Sequence, residues 1–515
     1  MLRAAHASRP RVGLQRRGAA VNVLLLSMPD SFEHMATVTV RMPNGALTSL
    51  AGNLDPHHRV AVADLVLVQK HVAETVERLL REGEPDVVGL SVMTFQRRTA
   101  RRIVDLIRAR RPSARVVVGG YDPSLAPDAW TDGTADFIVQ GEGELTFRDL
   151  LRALEAGSGF SGIPGLTWRD GDGYHANPAR PVVGLESGAI RLPNRSARVL
   201  RGYTLLGRPV DVIETSRGCT FDCTFCSIIE MRGRNFHRYS FERVLDDIRD
   251  ARAHGARAIF IVDDNITLDV KRFEALCRAI VEAGLHRIEY MVQAMTSAIA
   301  GAALTLPPLM REAGFRYVFL GIENVLEEDL GFLKASAKNA EREHGHRVGN
   351  ATIKAIEALH RHGLFVVGGL IVGNPGDTRQ SIEANLEFAR RYVDWPYIQH
   401  PTPYPATPMT RDLAARGLII NDRLEEYDGT TAVVRSQHLE AEEIEFLRWR
   451  KERWMKTRHF PAALAHSPWF VLRHAGAMLR HTFRGSTLKS WLGLEDDRAV
   501  FARYQALRRA EREYV

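Results

Sequence analysis

The chain has 515 residues, 45% of them hydrophobic and 25% charged, with a formal net charge of +7. That length exceeds one ordinary core and implies two to four domains of globular composition. Four cysteines exclude a disulfide scaffold, and no apolar run approaches the roughly 20 residues of a bilayer span, the longest being residues 364–373.

Residues 1–20 carry five arginines and no acid, with no apolar run after them, so they are read as a disordered basic tail rather than a secretory signal. Apolar strand patterns follow at 21–26, 59–68, 86–93 (DVVGLSVM), 115–120 (RVVVGG) and 136–139. Residues 99–111 read as a helix with Ile103, Leu106 and Ile107 on one face, and 145–156 as another. This alternation predicts a Rossmann-like, doubly wound parallel sheet over 21–156, with ligands at the carboxyl ends of its strands. Residues 157–208, rich in Gly, Pro and Asn, are expected to form a linker holding a small hairpin of 166–169 and 174–176.

A second α/β region spans 209–430, with strand patterns at 210–214, 258–262, 288–292, 317–322, 365–372 and 397–400. Helical patterns separate them at 240–254, 269–283, 303–313, 350–362 and 377–391. Six βα repeats predict a (β/α)6 partial TIM barrel with its site at the strands' C-terminal ends. Residues 431–515 read as a helical basic and aromatic region without strands.

Three of the four cysteines fall inside SRGCTFDCTFCSIIE (216–230), directly after the first barrel strand. Cys219, Cys223 and Cys226 have the spacing C-x3-C-x2-C, with Phe225 before the last. Thiolates are the expected ligands of an iron–sulfur cubane, and three of them leave one iron open. Zinc wants a fourth protein ligand and paired C-x2-C knuckles, and His237 nearby has no partner. Gly218 permits a tight turn, while Arg217 and Arg232 favour anionic thiolates. Cys277, alone on a helical pattern, reads as a buried core residue.

The cysteine loop resembles the radical S-adenosylmethionine (SAM) superfamily over about 210–407. That resemblance implies a [4Fe–4S] cluster on the three cysteines, with SAM on the open iron and reductive cleavage of its sulfonium. It implies SAM contacts from Phe225, from Asp263, Asp264 and Asn265 at the end of the second strand, from Glu323 at the end of the fourth, and from Gly369 and Gly373 around the fifth. No side chain is assigned as a catalytic acid, base or nucleophile.

VVVGGY (116–121) followed by DFIVQGEGE (136–144) resembles the cobalamin-binding domain that precedes many radical SAM domains. Ser91, Gly119, Gly120, Gly141 and Glu142 are the residues so implied. The D-x-H-x-x-G of histidine-ligating cobalamin domains is replaced after the first strand by Ser27-Met28-Pro29-Asp30, so no protein histidine is expected below the corrin. His57 and His58 are expected to be solvated.

Between Arg448 and Gly493 stand ten lysines and arginines, one acid (Glu452) and four of the seven tryptophans. Basic residues mixed with Trp, Phe and Leu suit the headgroup region of a membrane; a packing domain and an RNA patch are the alternatives. The segments at 231–237, 260–270, 316–330 and 395–412 resemble hopanoid C-3 methylases. That resemblance implies radical, methylcobalamin-dependent methylation of C-3 of a hopanoid, a flavodoxin or ferredoxin as reductant, and no nucleic-acid partner. Clustered cysteines without an export signal point to a reducing cytosol, and the basic, aromatic tail to a peripheral position at the inner membrane. Ring formation or methylation on another substrate by the same cofactors, or a non-catalytic cobalamin-responsive iron–sulfur protein, are the rival readings.

Overall fold

A computed structural model describes residues 20–31, 39–171, 173–343 and 346–515, so the basic tail expected over 1–20 lies, but for its last residue, outside the described residues. The chain divides into two compact units. One comprises mainly residues 44–201, with the first strand. The other comprises 30–43 and 202–513.

In the first unit, strands β1 (Asn22–Ser27), β2 (Arg59–Asp64), β3 (Val87–Ser91), β4 (Arg115–Gly119) and β5 (Phe137–Val139) run parallel in the order β2-β1-β3-β4-β5. Side chains alternate between the two faces, and both faces are buried. Leu24, Leu26, Val88, Leu90, Val116 and Val118 face helices α2 (Val72–Gly83) and α3 (Arg97–Arg110), the latter carrying Ile103 and Ile107. Val23, Leu25, Val87 and Val117 face α1 (Gly45–Asn53) and α4 (Gly143–Ala156). This is the doubly wound sheet the alternation predicts.

Three expectations need correction here. The hairpin placed in a linker is β6 (Leu166–Asp170) and β7 (Gly173–Ala176), which extend this sheet antiparallel beyond β5. Trp168 of β6 stacks on His175 at 4.7 Å, so a cross-strand pair holds what the Gly-rich composition seemed to loosen. The second strand ends at Asp64, four residues short, in a 3-10 turn (Leu65–Val68). His58 is buried, with Nδ1 accepting from the Val21 backbone N–H at 3.3 Å, and only His57 is exposed.

In the second unit, β8 (Arg208–Ile213), β9 (Ala258–Ile261), β10 (Glu289–Met295), β11 (Phe315–Glu323), β12 (Phe365–Ile371) and β13 (Trp395–Gln399) form six consecutive parallel strands, the sheet of a curled half-barrel. Helices α5 (Phe241–Ala253), α6 (Val270–Glu282), α7 (Leu306–Glu312), α8 (Thr352–Arg361) and α9 (Arg379–Tyr392) connect them. Two short antiparallel strands, Thr204–Leu205 and Val40–Arg41, extend the β8 edge. Cys277 on α6 is fully buried, as expected. From Ala441 on the C-terminal region is built of helices, α10 (Ala441–His466), α11 (Pro468–Thr482) and α12 (Asp497–Ala510), all in this unit, whereas residues 431–440 are irregular with a single bridge from Val434 to Ile419. No described helix is long and apolar enough to cross a membrane.

Candidate functional site: a three-cysteine loop at the half-barrel's first strand

The chain leaves β8 and turns at once into the cysteine loop. Gly218 makes that turn possible: its φ is +92°, and a Cβ there would lie 2.4 Å from Asn235 Oδ1 and 2.5 Å from the Asn235 carbonyl oxygen. Any other residue would strain the backbone and collide with it. Farther along, Thr224 anchors the loop: its N–H donates to the Leu333 carbonyl (3.0 Å), its hydroxyl to that of Phe332 (3.0 Å), and its own carbonyl accepts from Met409 N–H (2.9 Å).

Asp263, Asp264 and Asn265 all reach this loop. The Asp263 carboxylate accepts from the Thr215 N–H (2.6 Å), the Thr215 hydroxyl and the Ser216 hydroxyl (2.6 Å). Burial pushes its pKa up to about 6, against those hydrogen bonds. Asp264 Oδ2 accepts from Gly218 N–H (2.7 Å) and pairs with Arg232 (3.0 Å); Asn265 Nδ2 points at Cys219 Sγ (3.7 Å). The three side chains expected to touch SAM are therefore already engaged with the cysteine loop and its flanks, Asn265 alone reaching a cysteine.

Burial pushes the Cys223 thiol up to about 12 and Cys226 up to about 11. The Cys223 and Cys226 thiols, so poorly solvated, would stay protonated at neutral pH without a metal. An iron–sulfur cluster, which supplies the cationic centres, fits that donor set. The two arginines expected to favour thiolates are otherwise occupied, Arg217 with Glu214 (2.7 Å) and Arg232 with Asp264. The cation whose charge acts on the thiols is Lys338, which the sequence reading missed. Burial disfavours its charge, yet Glu323, at 2.8 Å, and the thiols hold its pKa above the ordinary lysine value. Nothing local marks Lys338; it lies in the connection after β11 and reaches the site only through the fold.

Glu323 itself has φ +61°, a left-handed conformation unusual for a side-chain-bearing residue, at the end of β11. Gly369 and Gly373 are needed by the protein's own packing. A Cβ at Gly369 would lie 2.9 Å from the Phe319 ring, and one at Gly373, where φ is +96°, 2.7 Å from Ile444. The turn at Gly373 is pinned by Asp377, whose Oδ2 accepts from the N–H groups of Gly373 (2.7 Å) and Asn374 (2.8 Å). Phe225 is half-buried beside Cys226 in the chain.

In the first unit, the residues expected to meet cobalamin gather at the carboxyl edge of the parallel sheet. Ser27, Ser91 and Gly119 are consecutive register partners across β1, β3 and β4. Gly120, with φ +100°, would place a Cβ 2.9 Å from the Val92 backbone. Ser124, not anticipated, links the set: its hydroxyl donates to the Gly120 carbonyl (2.7 Å) and accepts from Gly141 N–H (3.0 Å). Glu142 caps α4. An edge of small and hydroxyl side chains over two turns is the ground a phosphate-bearing cofactor tail requires, and the residues fit that group.

Comparison with known proteins agrees with both halves. Residues 34–151 match the B12 binding domain and residues 213–389 the radical SAM superfamily. The chain is 26% identical to an uncharacterized methyltransferase of Pyrococcus horikoshii over 90% of this chain and 98% of that protein. It is 27% identical to the cytidylyl-2-hydroxyethylphosphonate methyltransferase of Streptomyces wedmorensis over 61% of this chain, and 27% identical to the hopanoid C-3 methylase of Methylococcus capsulatus over 64%. The match spans 64% and 61% of those two proteins' own lengths. The cobalamin-dependent SAM radical enzyme OxsB, solved with aqua-cobalamin and SAM bound, superposes with a TM-score of 0.65 at 17% identity, covering 96% of this chain and 76% of that one.

Proposed function

We propose that this chain, which carries a B12-binding domain followed by a radical SAM domain, methylates an unactivated sp3 carbon, and that its substrate is a hopanoid methylated at C-3. The observation that carries the chemistry is the buried three-cysteine loop at the end of the half-barrel's first strand, in a chain that also carries a cobalamin-binding sheet edge. A saturated ring carbon has no acidic proton and no nucleophile, so polar transfer from SAM fails there. The [4Fe–4S] cluster with SAM supplies a radical able to take a hydrogen from such a carbon, and methylcobalamin supplies the methyl group.

The protein's part is placement. Cys219, Cys223 and Cys226 hold the cluster, and Asp263, Asp264 and Asn265 hold the cysteine loop and its flanks. Phe225, Glu323, Gly369 and Gly373 border the SAM position. Glu323 gives up its salt bridge to Lys338, or shares it, if it takes the ribose hydroxyls. Ser91, Gly119, Gly120, Gly141 and Glu142 receive cobalamin.

The hopanoid reading is supported by the similarity to the hopanoid C-3 methylase and by the exposed Trp469, Leu472 and Leu488 of the C-terminal helices, which suit a peripheral approach to a lipid surface. Flavodoxin or ferredoxin is the expected reductant. The equal identity to a phosphonate methyltransferase favours a second reading, the same cofactor chemistry on another substrate. Two measurements separate them. Reconstituted protein with dithionite and SAM is expected to release 5′-deoxyadenosine, and Cys226→Ala to lose it together with cluster absorbance. A deletion strain is expected to lose its C-3-methylated hopanoids; if these persist while the purified protein still cleaves SAM, the hopanoid assignment is wrong and the radical chemistry stands.

A further inference from the structure

A small pocket of about 40 Å³, partly open to solvent, lies among the C-terminal helices and is lined by Arg448, Glu452, Arg453 and Lys456 of α10 and by His481 and Thr482 of α11, among others. None of these residues belongs to the cysteine loop or to the sheet edge described above. Its charges do not balance. Glu452 is its one acid and is shared by Arg448 and by Lys456 (2.8 Å). The other donors of Arg448 are spent on His400 Nε2 (3.0 Å) and the Thr430 carbonyl (3.0 Å).

Arg453 is the surplus. It is 7% exposed, and among the described residues it forms no ion pair. Nη2 donates to Ser486 Oγ at 3.0 Å, whereas among the described residues Nε and Nη1 have no hydrogen-bond partner. Its guanidinium is gripped by rings, lying 4.6 Å from the Trp449 centroid, 5.3 Å from Phe483 and 5.6 Å from Trp454. Ring faces offset part of the desolvation of a buried cation but satisfy none of its N–H groups. A buried guanidinium with unsatisfied donors and no carboxylate paired to it, beside a second cation, is an arrangement that takes an oxoanion.

We infer that this pocket binds a phosphate group, with Arg453 as its principal ligand and Lys456 as the supporting charge. Two sources share that chemistry: the headgroup of an anionic phospholipid and a free phosphorylated small molecule. The site is independent of the methyl-transfer reading, since none of its residues takes part in that chemistry.

The test is a titration of the reconstituted protein with inorganic phosphate against chloride of equal ionic strength, followed by the fluorescence of Trp449 and Trp454 and by the melting temperature. Saturable quenching and stabilisation are expected in the wild type. Arg453→Met should weaken the apparent affinity about tenfold or more, equivalent to one lost charge-assisted hydrogen bond. Lys456→Met, at the pocket's edge, should weaken it several-fold while release of 5′-deoxyadenosine stays at the wild-type level. If Arg453→Met does not fold, Lys456→Met carries the comparison.

Sedimentation with phosphatidylcholine vesicles, with and without phosphatidylglycerol, then separates the sources. Binding that requires phosphatidylglycerol and is competed by phosphate identifies a headgroup; saturable phosphate binding without vesicle binding identifies a soluble ligand. Phosphate and chloride acting alike, or both variants binding phosphate as the wild type does, would overturn the assignment.

Discussion

The charge beside the cysteines is set by one lysine that no motif announces. Lys338 is held by Glu323 and acts on Cys223 and Cys226, so its ammonium lies in the field of the ligands rather than of bulk water. Adding an electron to a cluster is easier next to a fixed cation, and low-dielectric surroundings magnify the effect. Lys338→Met is therefore expected to lower the cluster's reduction potential, read by an EPR-monitored redox titration, with Lys338→Arg restoring most of the shift. Because Lys338→Met also strands the buried Glu323 carboxylate, the Lys338→Met/Glu323→Gln pair, which loses one charge of each sign, should regain stability and recover part of the potential. A potential unchanged in Lys338→Met would reduce the lysine to a packing role. The cysteines themselves were legible from spacing alone, since the geometry of metal ligation is local. Lys338 was not, because its role comes from a connection folded back onto the loop.

At the scale of elements, the turn after β12 depends on a pair of buried acids. Asp377 accepts from Gly373 and Asn374 N–H and from Ser381, which requires its carboxylate form. Asp329, packed against it, is pushed up to about 7 by burial and by Asp377, so it carries the proton. The folded protein holds this proton up to about pH 7, whereas a free aspartate gives it up near 3.8. Its contribution to stability is thus full below pH 3.8 and is lost as pH rises through about 7. Asp329→Asn mimics the protonated acid, so its melting temperature relative to wild type should climb between pH 3.8 and about pH 7; a constant difference would refute the proton assignment. Periodicity found every barrel strand and its helices to within a few residues, because apolar alternation is what burial selects. It found the hairpin of β6 and β7 but placed it in a linker, because loop-rich flanks hide that the hairpin continues the sheet.

At the scale of the whole chain, the C-terminal region is where composition spoke least clearly, because basic and aromatic residues serve both packing and exposure. The structure divides them. Phe446 and Trp449 are buried with Val500, Phe501 and Tyr504 of α12, whereas Trp469 is 84% exposed. Ion pairs tie α12 and the turn after it to earlier segments: Arg508 to Glu445 (3.0 Å), Arg509 to Glu426 (2.8 Å), and, just past the helix, Arg512 to Asp428. Asp428 is buried, which by itself raises its pKa, yet Arg512 and Arg508 hold it well below the usual carboxylate range. Removing α12 by ending the chain after Gly493 would leave Asp428 and Glu445 as buried anions without their arginines. Each such broken pair costs about 3–5 kcal/mol, and uncovering Phe446 and Trp449 adds to that. The truncated protein should therefore lose its cooperative thermal transition or melt far lower, even though the cysteine loop and the whole parallel sheet are intact in it. Substituting the exposed Trp469 and Leu472 by Ser should leave the melting temperature nearly unchanged while reducing binding to phosphatidylglycerol vesicles. Equal melting of full-length and truncated protein would mean that α12 is an appendage, and that the buried ion pairs add nothing to the half-barrel's stability.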